Sequence, residues 1–383
     1  MGGRWVRWLR TVEPAPRHGI KVCLALAIVV AAIAATLRLT AAAALPVNWD
    51  EFVTLRAAHV YAAQIEAPRP GGIAGVSINN EHPPLAKLLY GLQLAGEERP
   101  AIPALRSGDP IPEALRDEWH GLRRTAALLG AAQAGLLALA QPAAGLWLAL
   151  ESYHVRYTAE ILLEPLAGLF SLLAVMLFGA AWRIRYDREP ATLRSLPLLA
   201  SAVCLGLAAA TKYTYGLPAI VIAPFLLARS TRAATPLLYA AVAALAFYAA
   251  HPGLWSAPLD FAAATFAFHG EFASDHAAPF WHPIALLSRV THDDHHAVFF
   301  GVVADRLFLL LALIGAPRAA RRRPLWFCWA VVAVAFLLLW PTKWAHYLLL
   351  ALPPLAVCAA EGGATLWLAG RGWWRARTPE AGA

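Results

Sequence analysis

The residues best equipped for chemistry stand in two short stretches. The first is Asp50-Glu51, directly after Pro46-Val47-Asn48-Trp49, and the second is Asn79-Asn80-Glu81-His82-Pro83-Pro84-Leu85-Ala86-Lys87. A carboxylate within hydrogen-bond reach of a hydroxyl can take its proton while the oxygen forms a new bond. The plainer reading of the doublet is a helix start, with Asn48 or Asp50 bonding the first free N–H groups and the acids complementing the positive end of the helix dipole. The following Trp49–Ile65 stretch has helical spacing of Val53, Ala57, Val60 and Tyr61 beside Asp50, Thr54 and Gln64, which suits a helix lying along a membrane surface. A second short surface helix is expected to open at His82-Pro83-Pro84 and to run through Leu85–Ala95, since proline fits a first turn whose N–H has no partner anyway.

The elements that must position these stretches are set by composition. Of 383 residues, 59% are hydrophobic and 15% charged, against about 25% charged in a soluble domain. Apolar runs at 22–45, 123–140, 143–163, 165–182, 196–210, 216–228, 235–251, 298–316, 324–341 and 347–369 give about ten membrane spans at roughly 20 residues each. The loops between them are short, so one domain over 1–383 is expected, with no separate soluble domain. The first run follows Arg4, Arg7, Arg10, Arg17 and Lys21 and is read as an uncleaved anchor, in preference to a signal peptide, because the topology closes only with it in place. The four cysteines, Cys23, Cys204, Cys328 and Cys358, all lie in apolar runs without metal-ligand spacing.

A net charge of +8 could suit nucleic acid, but the basic residues collect in short loops between spans. With both termini cytoplasmic, the cytoplasmic side receives Arg183, Arg185, Arg188 and Arg194, then Arg229 and Arg232, then Arg318 with Arg321, Arg322 and Arg323, then Arg371, Arg375 and Arg377, which satisfies the positive-inside rule. Residues 46–122 and 252–297 then face outward with most of the acids and histidines. Nucleic acid is excluded as a partner on this distribution, and chemistry is sought at the outer face.

An acid pair just after the first span, then HPPLAK before a second surface helix, then Arg123 or Arg124 ahead of Gly130, resembles the protein O-mannosyltransferase and aminoarabinose-transferase branch of the GT-C glycosyltransferases. Arg156-Tyr157-Thr158-Ala159-Glu160 with Glu164-Pro165, Ala210-Thr211-Lys212-Tyr213 with Gly216, and His251-Pro252-Gly253-Leu254-Trp255 are similar to later elements of that family. So is Pro341-Thr342-Lys343-Trp344-Ala345-His346-Tyr347 before Leu352-Pro353-Pro354. The chain departs from the pattern in its two-residue turn Gln141-Pro142, in glutamate for aspartate near 160 or 164, and in having no large soluble domain after the last span. Acceptor recognition is therefore expected on the two outer loops or on another protein.

The resemblance implies an all-α polytopic membrane fold with two outer juxtamembrane helices. It also implies a glycosyltransferase that takes its sugar, a hexose or pentose, from a polyprenyl phosphate and passes it to a hydroxyl of a protein, lipid or glycan. Direct displacement implies inversion, with Asp50 as general base and Glu51 positioning it or the acceptor. The leaving phosphate needs positive charge. Lys87, Arg124, Arg156, Lys212 and Lys343 compete for that role, each against plain snorkelling at a helix end. Lys212 and Lys343 lead because they sit in aromatic turns, with Tyr213 and Tyr215, and with Trp344, His346 and Tyr347. Glu81, His82, Glu160, Tyr213, His346 and Tyr347 complete the candidate substrate-binding set. Asp305-Arg306 is either an internal ion pair or a donor-pocket element.

No metal ligand set is assigned. The histidines and acids of the second outer loop, His269, Glu271, His276, His282, His292, Asp293, Asp294, His295 and His296, are types that would suit a divalent cation. The plainer reading is a polar interfacial loop anchored by Trp255 and Trp281. The expected setting is a bacterial plasma (inner) membrane, with a role in the cell envelope or in protein glycosylation. The competing class is a transporter or lipid flippase, which calls for acids and broken helices near mid-membrane and for internal repeats. No convincing repeat is visible.

Overall fold

The structure is a computed structural model that describes residues 19–67, 72–184, 196–229, 234–288 and 302–377. Among the described residues there are helices and 3₁₀ turns and no strand. The helices are α1 (Ile20–Ala44), α2 (Trp49–Glu66), α3 (Leu85–Leu94), α4 (Arg116–Ala140), α5 (Pro142–Leu150), α6 (Ser152–Tyr157), α7 (Glu164–Ile184) and α8 (Leu196–Thr211). They continue with α9 (Pro218–Arg229), α10 (Ala234–Ala249), α11 (Pro258–Asp275), α12 (His282–Ser288), α13 (Val302–Arg322), α14 (Pro324–Leu339) and α15 (Leu352–Arg377). Arg185, Arg188, Arg194, Arg232 and the run His292–His296 lie outside the described residues.

Helices stand at each expected span. By length and apolarity alone, the stretches Lys21–Ala44, Glu164–Ala181 and Leu352–Arg371 could cross a membrane, and four shorter apolar helices accompany them. Helix α1 is mostly alanine and β-branched residues, with exposed Val22, Ile28 and Val29 on one side and buried Ala27, Val30 and Ala34 on the other. The buried side meets Ala131, Ala134 and Ala138 of α4. Small residues let two backbones approach where lipid offers no hydrophobic drive for association. The closest approach is elsewhere, between α13 and α15, where a Cβ added to Gly315 would overlap the Cys358 carbonyl and one on Gly362 would overlap the Leu311 carbonyl.

Both short helices expected within residues 46–122 form where expected, and they pack on each other through Gly91, whose missing Cβ would lie 2.8 Å from that of Tyr61. A satellite core of Phe52, Leu55, Tyr90, Leu115, Trp119 and Leu122 fastens them to the start of α4. That helix begins at Arg116, ahead of the apolar run read from the sequence. The segment after His251 carries an 18-residue helix, α11, with no buried residue.

The third expected span is not continuous. It breaks at Glu151 into α5 and α6 and then runs as a non-helical segment to Glu164. The break is held from both sides. Glu151 accepts from the His154 N–H at 2.7 Å, and Asp305 of α13 accepts from the Ser152 N–H at 3.2 Å and its hydroxyl at 2.8 Å. The carbonyls left over at the end of α5, Leu148 and Ala149, accept from the fully buried Arg38 guanidinium of α1 at 3.1 Å each. Arg38 also reaches Thr158 at 2.9 Å and His154 at 2.6 Å. Asp305 is thus tied to the Ser152 end of the break, which gives it a structural task that neither sequence reading anticipated.

Candidate active site

The acid doublet opens α2. Asn48 is its N-cap, accepting from the Asp50 N–H at 3.1 Å, while Glu51 accepts from the Asn48 N–H at 3.1 Å, a reciprocal box. Neighbouring positions on a first turn point about 100° apart, so the two acids meet opposite surroundings. Glu51 is fully buried. Its oxygens accept from Arg123 Nε at 2.7 Å and an Arg123 terminal nitrogen at 2.6 Å, from the Ile161 N–H at 2.8 Å, and from Trp119 Nε1 at 3.3 Å. Arg123 spends its other donors on the carbonyls of Ala42, Leu45 and Pro46 at the end of α1. Glu51 is therefore saturated and ties three chain segments together, while Arg124, one residue on, is exposed. Of the arginine pair considered, Arg123 is the one built into the site.

Asp50 is half exposed. Its Oδ2 lies 3.6 Å from His346 Nδ1, and His346 Nε2 lies 3.6 Å from Glu164 Oε1. Glu164, buried at the first turn of α7, forms a close ion pair with Lys212, whose ammonium sits 4.9 Å from the centroid of the Tyr347 ring. The resulting row is carboxylate, imidazole, carboxylate, ammonium and phenol, drawn from four parts of the chain. Burial alone would pull the Lys212 pKa down, but Glu164, with Tyr347 and Asp50 in support, brings the net change upward, so Lys212 stays charged. Beside this row, Glu160 accepts from Asn48 Nδ2 at 2.7 Å and from Arg156 Nε at 3.2 Å, and Arg156 lies over the Tyr157 ring at 5.4 Å.

The His-Pro-Pro corner closes over Lys87. The Lys87 side chain is buried, and its Nζ donates to the carbonyl of Asn79, to the His82 carbonyl at 2.7 Å and to Asn79 Oδ1 at 3.3 Å. Burial pushes its pKa down to about 7, with Glu81 opposing. Asn79 takes a left-handed φ of 53°, a region that asparagine tolerates better than most residues. His82 packs 5.6 Å from His269 of α11, and His269 Nε2 bonds the Glu81 carbonyl at 3.0 Å. The His82 pKa is held down by burial first and then by Lys212, Lys87, His269 and His346. Tyr213 bonds His251 Nε2 at 3.1 Å through its hydroxyl.

Lys343 is turned inward to the end of α14, donating to the carbonyls of Leu337 at 2.7 Å, Leu338 at 2.8 Å and Trp340. Its role is that of a C-terminal clamp. Lys343→Met is expected to lower stability by about 2 kcal/mol, read as a lower thermal midpoint in detergent; an unchanged midpoint would mean that the ammonium does not hold the end of α14.

Among the described residues, no three His, Cys, Asp or Glu gather for a metal ion. Glu164 and Asn48 are central to the arrangement, although the sequence offered Glu164 only as a family-like acid and Asn48 only as a cap. The signal for Glu164 was its place before Pro165, which opens a helix and so fixes where the carboxylate points.

No family model matches the chain, and no curated protein matches it. Two solved structures do. ArnT from Cupriavidus metallidurans bound to undecaprenyl phosphate aligns with a TM-score of 0.59 and 16% identity, covering 91% of this chain and 61% of that one. The same protein in the apo state gives 0.55 and 15% with the same coverage. This chain thus spans about three fifths of the neighbour's length. The likeness is one of fold, an all-α arrangement shared with ArnT over 91% of this chain.

Proposed function

We propose that this chain is a membrane glycosyltransferase that moves a sugar from a polyprenyl phosphate to a hydroxyl at the outer face of a bacterial plasma membrane, with both termini cytoplasmic. The observation that carries the reading is the contrast inside the doublet: Glu51 has every lone pair engaged, while Asp50 faces outward, half exposed, beside His346. The acceptor O–H proton passes to Asp50 as the oxygen bonds the anomeric carbon. The bond from that carbon to the phosphate oxygen breaks, and the phosphate leaves with the electron pair. One carboxylate acting as base, with no second carboxylate as nucleophile, gives inversion.

Lys212 and Arg156 are the cations assigned to the phosphate. Each stands in the Asp50 cluster, whereas Lys87 and Lys343 are occupied by backbone carbonyls. The GT-C-like neighbour bound to undecaprenyl phosphate supports a carrier of that kind. The acceptor class stays open among protein, lipid and glycan.

The test uses the full chain in phosphatidylethanolamine and phosphatidylglycerol vesicles. A panel of undecaprenyl-phosphate hexoses and pentoses serves as donors, an envelope extract supplies acceptors, and release of undecaprenyl phosphate is measured. Asp50→Asn is expected to lose at least about 10²-fold in rate with donor binding intact. Full activity in Asp50→Asn defeats the base assignment, and no turnover of any donor by the unaltered chain defeats the transferase reading.

A flippase is the second reading, favoured by the broken α5–α6 helix with Arg38 buried beside it. It predicts passage of fluorescent undecaprenyl phosphate across the vesicle bilayer without any released sugar.

A further inference from the structure

The imidazole of His346 stands between two carboxylates from distant parts of the chain. Asp50 reaches it from α2 on the Nδ1 side, and Glu164 reaches it from α7 on the Nε2 side, each at 3.6 Å. Tyr157 of α6 meets the ring edge-on at 6.0 Å and Tyr347 at 4.7 Å. Lys212, just past the end of α8, also acts on it, and His346 in turn acts on His82. The ring is nearly buried, so its orientation is fixed by packing.

We propose that His346 relays the proton that Asp50 takes from the acceptor. The idea rests on the base assignment made above and adds a second residue to it. In the resting state Nδ1 is the unprotonated nitrogen and Nε2–H points at Glu164. Once the acceptor oxygen has bonded to the sugar and the phosphate has left, the proton on Asp50 Oδ2 moves to Nδ1. The imidazolium so formed is balanced by Glu164 on its far side, and Asp50 returns to the carboxylate. His346 holds the proton while the glycosylated product still covers Asp50; once the product leaves, the imidazolium returns the proton to the uncovered Asp50 and from there it passes to solvent. A separation of 3.6 Å exceeds a hydrogen bond, and either a small rotation of Asp50 or one bridging water closes it, as is usual in sites without substrate.

The electrostatics agree with this starting state. Burial lowers the His346 pKa, Glu164 opposes that, Lys212 adds to the lowering and Asp50 opposes it, with the net change downward. A neutral ring is what a proton acceptor needs. Glu164 cannot take the ring's place as the acceptor of the Asp50 proton, because it is buried and already paired with Lys212.

The experiment measures two things on the full chain. The first is the pH profile of undecaprenyl-phosphate release by His346→Gln in the vesicle assay. The second is the titration of His346 in ¹⁵N-histidine-labelled protein in nanodiscs, with and without Asp50→Asn. The relay predicts that His346→Gln loses about 10- to 100-fold in kcat, keeps donor KM within about twofold, and shifts its acidic limb. It also predicts that Asp50→Asn lowers the His346 titration midpoint by about one unit. If Asp50→Asn is inactive while His346→Gln keeps the kcat and pH profile of the unaltered chain, the relay is wrong and the base assignment stands. If Asp50→Asn is active, both fall. Should His346→Gln fail to fold, an unmoved His346 midpoint in Asp50→Asn overturns the relay by itself.

Discussion

Arg123→Met is expected to leave the chain poorly assembled, at a loss of about 3–5 kcal/mol, and to abolish activity as a consequence. The guanidinium is fully buried and holds Glu51 through two charge-assisted bonds while capping three carbonyls at the end of α1. Removing it strands a carboxylate in the interior, which costs more than the pair's net attraction. Glu51→Gln should be milder, since an amide still accepts from Ile161 and Trp119. The joint change Glu51→Leu with Arg123→Met should lie above the sum of its parts in stability, because no unpaired charge remains. Detergent-extracted yield and thermal midpoint report these three variants and the Glu51→Leu single change that completes the cycle. If Arg123→Met keeps the unaltered midpoint, Glu51 and Arg123 do not tie α1, α2 and α4 together.

The second large effect is expected at the contact of α13 with α15. Gly315 and Gly362 face each other's helices, and a Cβ on either overlaps a carbonyl oxygen of the partner helix. A backbone oxygen in a helix cannot rotate aside, so the helices must separate. Gly362→Leu is expected to cost upward of about 3 kcal/mol and to reduce the fraction that elutes as a single species on gel filtration. Gly363→Leu, whose added Cβ meets nothing within 4 Å, is the control. Equal behaviour of the two variants would show that the tight crossing is absent.

The fold was legible because lipid imposes its own pattern: apolar runs and their arginine flanks locate each span, and the break at Gln141-Pro142 falls where α4 gives way to α5. The interruption at Glu151 was not legible, since a buried acid in an apolar run reads as a span with a defect. What makes it a helix start is Asp305 and Arg38, both distant in the chain. Helix α11 was missed because its loop was read as a polar interfacial segment, although Phe261, Thr265, His269 and Phe272 follow a helical stripe.

The site was legible by residue type and not by role. Asp50 and Glu51 are chemically near-equal in the sequence, and only the position of Arg123 separates them. Lys343 and Lys212 sit in similar aromatic turns, yet one faces a helix end and the other a carboxylate. A lysine's long stem lets its charge travel several ångströms, so the residues around the turn do not say which way the ammonium goes.

Helix α14 has 16 residues, bounded by Arg323 and Trp340, while α1 has 25. At 1.5 Å per residue the short one reaches about 24 Å and the long one about 37 Å, against a hydrocarbon slab of about 30 Å. Such a mismatch is relieved by dimpling the surrounding lipid on the short flank. Under the transferase reading, a prenyl chain drifting in beside α14 would ride the depression, so its head would arrive already lowered without having to be lifted out of the leaflet.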